Sequence, residues 1–177
     1  MANSSELYAT LSGYKIKDAY RVVLECMEDG HLCLSKRYKI PEDTIGSYGY
    51  SCVEIPAFQE ECEETIVING MGRWCGPHAA LIKLCEEFNL DMTYNDAEPG
   101  CDFFHTLMVN QGKVTLDEEY AYLSKERADA EGCIISFIEG YDWLDPKEDE
   151  TTYLKLLSIA KEFEVDEDEV REVLGLS

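Results

Sequence analysis

The chain has 177 residues, and its 37 Asp and Glu outweigh 15 Lys and Arg to give a formal net charge of −22. Hydrophobic residues make up 45% of it, enough for a packed core, which excludes a chain that is disordered throughout. The charge excludes ordinary binding to nucleic acid or anionic membranes, because phosphate groups are bound by clustered Lys and Arg.

No apolar run approaches the roughly 20 residues that span a bilayer. The first residues also lack the charged-then-apolar pattern of a secretory signal. We therefore expect a soluble protein of the cytoplasm. In that reducing compartment, the eight cysteines are expected to be free thiols. Cys75 and His78 form a single Cys-x-x-His pair without a second pair at zinc-site spacing, so we expect no metal and no cofactor.

The first predicted element is an amphipathic helix over residues 16–28, which ends at Asp29-Gly30. Residues 31–64 are rich in turn formers and read as an irregular hairpin region. The densest basic cluster of the chain lies there, and we interpret it as the solvated edge of a hairpin: Lys36, Arg37 and Lys39.

The central part alternates between strand and helix patterns. The predicted elements are a strand at 65–69, a turn at 70–74, a helix at 78–89, a strand at 90–94, a loop at 95–100, a strand at 103–109, and a tight turn at Gln111-Gly112 into a strand at 113–115. A helix capped by Asp117 over 117–127 and a buried strand over 132–138 complete the pattern. This order predicts an α+β fold, an α/β sandwich of a mixed or antiparallel sheet with helices on one face, over residues 1–138.

Residues 139–177 differ in character, with 13 acidic and four basic residues. Apolar residues at helical spacing predict a helix over 151–163. Asp166 is predicted to cap a last helix that ends at Gly175, with Glu169 completing a capping box. We therefore expect a short acidic helical extension packed on the core rather than a disordered tail.

The segment Trp74-Cys75-Gly76-Pro77-His78, placed between a strand and a helix, resembles the thioredoxin active site. That resemblance implies a cysteine whose thiolate is stabilised by a helix N-terminus. His78 replaces the second cysteine, and His105 stands where the family has a proline, so dithiol exchange is not expected. A thiol enzyme that uses Cys75 with His78 is one alternative function.

Two other groups of residues are weaker candidates for a functional site. Asp96, Glu98 and Asp102 are predicted to share one loop, which could bind a divalent cation but is better explained as a solvated turn because it lacks calcium-loop spacing. Cys101 and His105 are predicted on one strand about 13 Å apart, too far for proton transfer.

A broader resemblance covers residues 65–123. The segment Gly70-Met71-Gly72-Arg73-Trp74, a helix, the acidic segment 96–103 and the turn Asn110-Gln111-Gly112 together resemble the ferredoxin-like domain of Api92-like proteins, which occur on bacterial plasmids and phages. The resemblance implies a ferredoxin-like sandwich with Arg73, Trp74 and the 96–102 segment at one end of the sheet. It also implies a phage or mobile-element protein in a bacterial host cell, and it supplies no catalytic residues.

The charge suggests a function through binding rather than catalysis. An acidic surface can mimic DNA and occupy the basic channel of a defence nuclease, as an anti-CRISPR or antirestriction inhibitor does. The candidate contacts are Tyr141 and Trp143 as aromatic anchors, with Asp142, Asp145, Glu148, Asp149, Glu150, Asp166, Glu167, Asp168 and Glu169. The expected partner is a basic protein, with a homodimer also possible. A non-enzymatic interaction subunit is a further alternative.

Overall fold

The computed structural model describes residues 4–41, 51–54, 65–73 and 76–176. The chain forms two compact units, residues 1–119 and residues 120–177. The boundary lies after Glu119 rather than after residue 138, because the helices that follow Glu119 share a hydrophobic core with the C-terminal helices.

Unit 1, residues 1–119, contains most of the β structure. Its elements are β1 (Ser4–Ser12), α1 (Ile16–Glu25), β2 (Met27–Glu28), β3 (His31–Leu32), α2 (Leu34–Tyr38), β4 (Ser51–Glu54), β5 (Thr65–Arg73), α3 (His78–Phe88), β6 (Asp91–Glu98), β7 (Phe103–Asn110) and β8 (Lys113–Tyr120, whose last residue opens unit 2). A short 3-10 turn, Pro99–Cys101, joins β6 to β7.

The main sheet has the strand order β4-β5-β1-β6-β7-β8. Its first four strands, with α1 and α3, follow the β-α-β-β-α-β order of a ferredoxin-like fold, β1-α1-β4-β5-α3-β6. The pairs β4/β5, β1/β5, β1/β6 and β6/β7 are all antiparallel. The predicted α+β, ferredoxin-like sandwich is confirmed, and β7 and β8 extend its sheet beyond β6.

One face of this sheet is buried, and the other is largely exposed except at Phe104, which stands opposite Ala97 and is buried. Ala9, Ile68, Tyr94 and Leu107 stand opposite one another across four strands, and all four are buried. They pack in one cluster with the apolar stripes of α1 and α3, including Val23. The strand period of two therefore places the intervening side chains on the opposite face.

The predicted turn between β7 and β8 is confirmed at Gln111-Gly112. Gly112 has φ +74° and donates its N–H to the Leu90 carbonyl at 2.8 Å. A Cβ at this position would lie 2.9 Å from the Cys85 carbonyl oxygen, so the turn requires glycine both for its backbone angle and for its close contact with α3.

Several boundaries in unit 1 differ from the predictions. Residues 70–73 continue β5 instead of turning, residues 95–98 continue β6 instead of forming a loop, and 117–120 continue β8 instead of starting a helix. The helix over 16–28 ends at Glu25, and a small hairpin of β2 and β3 follows. In each sheet segment, cross-strand pairing overrides the local turn or helix signal.

The first strand and the basic cluster also differ from expectation. No element was predicted before residue 16, yet β1 lies at the centre of the sheet and pairs with both β5 and β6. Lys36 and Arg37 lie on α2, with Lys39 as its C-terminal cap, rather than on a hairpin edge. Lys36 pairs with Glu28 and Arg37 with Glu87, so acidic side chains of the same unit take up these charges.

The regular secondary structure of unit 2, residues 120–177, is helical in the described residues, apart from Tyr120 at the end of β8. Its elements are α4 (Lys125–Glu131), α5 (Ile134–Glu139), α6 (Glu150–Glu162) and α7 (Glu167–Val173). The predicted strand over 132–138 is wrong, because Phe137 and Ile138 of α5 pack into a core with Leu156 and Val170. A continuous apolar run suits a buried helix as well as a strand. The helices predicted over 151–163 and after Asp166 are confirmed.

Among the helices of the described residues, none combines the length and apolar character that crossing a bilayer requires.

Candidate functional site

The acidic residues of unit 2 form the first candidate site. Residues 120–177 contain 16 acidic and six basic residues, a net charge of −10. Eight of the nine predicted acidic contacts are exposed, and Asp149 is half-buried. The predicted carboxylates therefore lie at the surface, where a partner can reach them.

Two of these carboxylates also hold the ends of helices. Asp149 accepts a hydrogen bond from the Thr152 N–H at 3.0 Å at the start of α6, and Asp166 accepts from the Glu169 N–H at 2.9 Å at the start of α7. The hydrogen bonds from Thr152 lower the pKa of Asp149. Acidic residues stabilise helix N-termini, so part of the negative charge in unit 2 has a structural role.

The two predicted aromatic anchors have different environments. Trp143 is 58% exposed, and its ring N–H donates to the Gly140 carbonyl at 3.2 Å, which fixes the ring at the surface. Tyr141 is 1% exposed, and its hydroxyl donates to the Tyr122 carbonyl at 3.0 Å. The prediction that Tyr141 anchors a partner is wrong, because its ring belongs to the core of unit 2.

A surface depression of about 410 Å³ lies beside these carboxylates. Its lining consists of Leu157, Lys161, Glu164, Val165, Asp166 and Glu167. The Tyr153 hydroxyl, in the first turn of α6, donates to the Glu167 carboxylate at 3.5 Å and so links the first turns of α6 and α7. We call this feature the acidic depression; its lining combines two apolar side chains with three carboxylates and Lys161.

A buried polar cluster in unit 1 forms the second candidate site. Asp96 on β6 is fully buried and accepts hydrogen bonds from the Gly76 N–H at 2.5 Å and the Tyr94 hydroxyl at 3.1 Å. Burial raises the pKa of Asp96, and those hydrogen bonds oppose the increase. Asp96 therefore ties the start of α3 to the sheet.

Two histidines lie in the same cluster. His105 stands opposite Asp96 across β6 and β7, is 2% exposed, and contacts Asp117 of β8 through Nε2 at 2.8 Å. The His78 ring lies 4.9 Å from the His105 ring in an edge-to-face arrangement. Burial and the neighbouring His105 lower the pKa of His78 to about 4, so His78 is neutral at pH 7.

The three carboxylates predicted in one loop are separated. Asp96 and Glu98 are buried on β6, while Asp102 is exposed after the 3-10 turn, and that turn also places Cys101 outside β7. Within the described residues, His105 Nδ1 and Glu98 Oε2 have no hydrogen-bond partner. The same residues contain no group of three metal-binding side chains in suitable positions.

Cys75 and Trp74 lie outside the described residues. Of the cysteines that the structure describes, Cys85 is buried, with its pKa raised by burial to about 12. Hydrogen bonds from the Ser136 N–H and side chain lower the pKa of the exposed Cys133. Cys133 was not singled out from the sequence, although its position directly before the helical run 134–139 is a signal for such a shift.

The sequence also did not suggest the contact between Asp96, His105 and Asp117. Apolar and polar residues alternate over 91–94, and continuing that period to residue 98 would have placed Asp96 and Glu98 on the inner face, had residues 95–98 been assigned to the strand.

No family model, no curated protein and no solved structure matches this chain.

Proposed function

We propose that the protein binds a basic protein surface through unit 2 and acts as an acidic inhibitor of a bacterial defence nuclease, encoded by a phage or mobile element. The observation that supports this proposal best is the acidic depression, whose lining includes the carboxylates of Glu164, Asp166 and Glu167 beside apolar side chains. Unit 2 carries further exposed carboxylates before and within the first turns of α6 and α7.

The chemistry of the acidic depression suits a Lys or Arg side chain. The methylene stem of such a residue can pack on Leu157 and Val165. Its charged head then meets the three carboxylates of the lining. Nucleases keep Lys and Arg along the channel that holds DNA phosphates, so a surface of this kind competes with DNA for that channel. Trp143, held at the surface by its bond to Gly140, supplies the aromatic contact on which tight interfaces depend.

We expect the binding to depend on salt and on charges that do not cap helices. Glu164→Gln, Glu167→Gln and Asp168→Asn together remove three exposed charges and keep the capping residues Asp149 and Asp166. Affinity for a purified CRISPR effector nuclease or type I restriction enzyme should fall about 10-fold or more, since each charge pair contributes of the order of 0.5–1 kcal/mol. Titrations at 50 and 300 mM salt, with DNA as competitor, measure both effects.

The matched control removes the same number of negative charges from unit 1. Glu25→Gln, Asp29→Asn and Glu119→Gln alter three exposed residues outside the proposed surface and should leave affinity within about twofold. Equal losses of affinity in the two triple variants would indicate that binding depends only on the net charge of the protein. Binding that is absent, or independent of salt, would refute the proposal.

A second candidate, the thiol enzyme that uses Cys75 with His78, is favoured only by the buried polar cluster around His78. The lowered pKa of His78 argues against it, because a neutral imidazole does not stabilise a thiolate by charge. We expect Cys75 to be alkylated with an apparent pKa of about 8.5, the value of an ordinary thiol. Peptide-level mass spectrometry in a Cys133→Ser background measures this without interference from the more acidic Cys133.

A Cys75 pKa below about 7 in that experiment would instead favour redox chemistry.

The third alternative, a non-enzymatic interaction subunit, uses the same binding surface. Loss of partner capture by a folded Trp143→Ala variant would support both the inhibitor and the interaction subunit.

A further inference from the structure

The face of the main sheet opposite α1 and α3, here called the open face, carries large apolar side chains in solvent. Tyr8 is 50% exposed, and Met71 and Met108 are each 45% exposed. The register places all three on this face, because Tyr8 and Met108 alternate with buried neighbours and Met71 stands opposite Glu6, two residues along β1 from Tyr8. Tyr8 lies on the central strand, so this exposure is not confined to the edges of the sheet.

One row across the centre of the open face has no charged side chain. Asn69, Tyr8, Asn95 and Thr106 stand opposite one another on β5, β1, β6 and β7. All four are amides, hydroxyls or a phenol, groups that can both donate and accept hydrogen bonds.

The adjacent row has the same character. Val67, Thr10, Thr93 and Met108 cross the same four strands. Together the two rows form an uncharged band in a unit whose 119 residues carry 21 acidic and nine basic side chains, a net charge of −12.

The size of the open face is close to what a stable interface needs. Five long strands spaced about 4.8 Å apart, each about eight residues of 3.4 Å, give roughly 650 Å² in projection for the whole open face. This area includes the exposed Glu6 and Asp91, which flank the uncharged band. A standard protein interface buries about 800 Å² on each partner, and a corrugated face has more accessible area than its projection.

We propose that two copies of this chain pair through their open faces, as a two-fold symmetric dimer. A second copy fits the chemistry: copies with a net charge of −22 each repel one another except where carboxylates are absent, and the uncharged band is such a region. Its mixed donors and acceptors, with Tyr8 and Met108 as apolar contacts, are complementary to themselves under two-fold symmetry. A basic partner gains no charge complementarity there.

The dimer is independent of the proposed function and would strengthen it. Two copies of unit 2 in one particle allow two contacts with one partner or with a dimeric partner, which increases the apparent affinity without new contacts.

The oligomeric state of the full chain tests the proposal. Sedimentation equilibrium and light scattering from 1 to 500 µM should show a monomer–dimer equilibrium that shifts toward dimer as salt rises from 50 to 500 mM, because screening weakens repulsion between the copies. Binding through the acidic depression has the opposite salt dependence, so failure of one proposal is distinguishable from failure of the other. A monomer over the whole range of concentration and salt would overturn the dimer.

Charged substitutions locate the interface. Thr93→Glu and Met108→Glu each place carboxylates near the symmetry axis and should weaken dimerisation at least 10-fold. Tyr14→Glu, at a fully exposed residue between β1 and α1, and Leu24→Glu, on the outer side of α1, are controls that should leave it unchanged. Circular dichroism checks that each variant is folded. A dimer that survives both sheet variants, or one that the controls also disrupt, would overturn the assignment to the open face.

Discussion

Replacing Arg127 with alanine should unfold unit 2 and leave unit 1 folded. Arg127 is 7% exposed, and its guanidinium donates to the Tyr122 carbonyl at 2.8 Å and to Glu131 at 2.8 and 2.9 Å. The guanidinium also lies over the Tyr122 ring at 4.4 Å and the Phe137 ring at 5.2 Å. It therefore joins α4, α5 and the segment that precedes them.

The expected cost is large for a unit of this size. Removing the guanidinium costs about 2–4 kcal/mol, because its packing against the Tyr122 and Phe137 rings is lost together with its charge-assisted hydrogen bonds. The Tyr122 carbonyl keeps the hydrogen bond from the Tyr141 hydroxyl. A unit of 58 residues has a total stability of roughly 3–9 kcal/mol, so the loss consumes much of it. Hydrogen exchange measured by mass spectrometry should show rapid exchange of 120–177 and retained protection of β1, β6 and α3.

The matched control is Arg171→Ala, which removes an exposed arginine that donates to the Leu176 carbonyl at 3.1 Å. We expect it to change stability by less than about 1 kcal/mol. Protection of 120–177 that is equal in the two variants would show that Arg127 does not hold unit 2 together.

The second large effect is expected at Asp96 in unit 1. Asp96→Ala leaves the buried Gly76 N–H without its acceptor and removes a partner of the Tyr94 hydroxyl, at a cost of roughly 2–4 kcal/mol. Asp96→Asn keeps the shape and one carbonyl acceptor, so its cost should be much smaller. Urea unfolding of the full-length variants, with exchange protection of α3 and β6, measures the difference.

The pH dependence of Asp96→Asn has a definite sign. Burial raises the folded-state pKa of Asp96 above 3.8, so its favourable contribution is complete below pH 3.8 and is lost as pH rises through the folded-state pKa. Asparagine does not ionise. The stability of Asp96→Asn relative to the natural protein should therefore improve between pH 4 and 7.

Other carboxylates do not obscure this comparison. Glu28 and Glu87 have lowered pKa values because Lys36 and Tyr38 hydrogen-bond to them, but both are present in the natural protein and the variant, so their contributions cancel. A constant difference between the two proteins over pH 4–7 would contradict the burial-raised pKa of Asp96.

Predictions from local sequence patterns were correct where one helix or one turn determines the local structure. The apolar stripes of α3 and α6 and the Asp166 cap of α7 follow from residues within one or two turns, and the Gln111-Gly112 turn follows from its own backbone requirement. The acidic surface of unit 2 also follows from composition, because carboxylates are rarely buried without a partner. These features needed no knowledge of distant parts of the chain.

Long-range pairing decided the rest. Residues 4–12 have a weak strand pattern, yet β1 becomes the central strand because β5 and β6 satisfy its hydrogen bonds on both sides. The acidic stretch 95–98 looked like a loop, but pairing with β1 and β7 keeps it extended and buries Asp96 beneath the start of α3. The apolar run 134–138 becomes helix because α6 and α7 offer a helical core rather than a sheet edge. Composition and local periodicity therefore established the α+β class and the negative surface. Strand order, the burial of Asp96 and Tyr141, and the uncharged band of the open face depend on contacts between residues far apart in the chain, which no local pattern encodes.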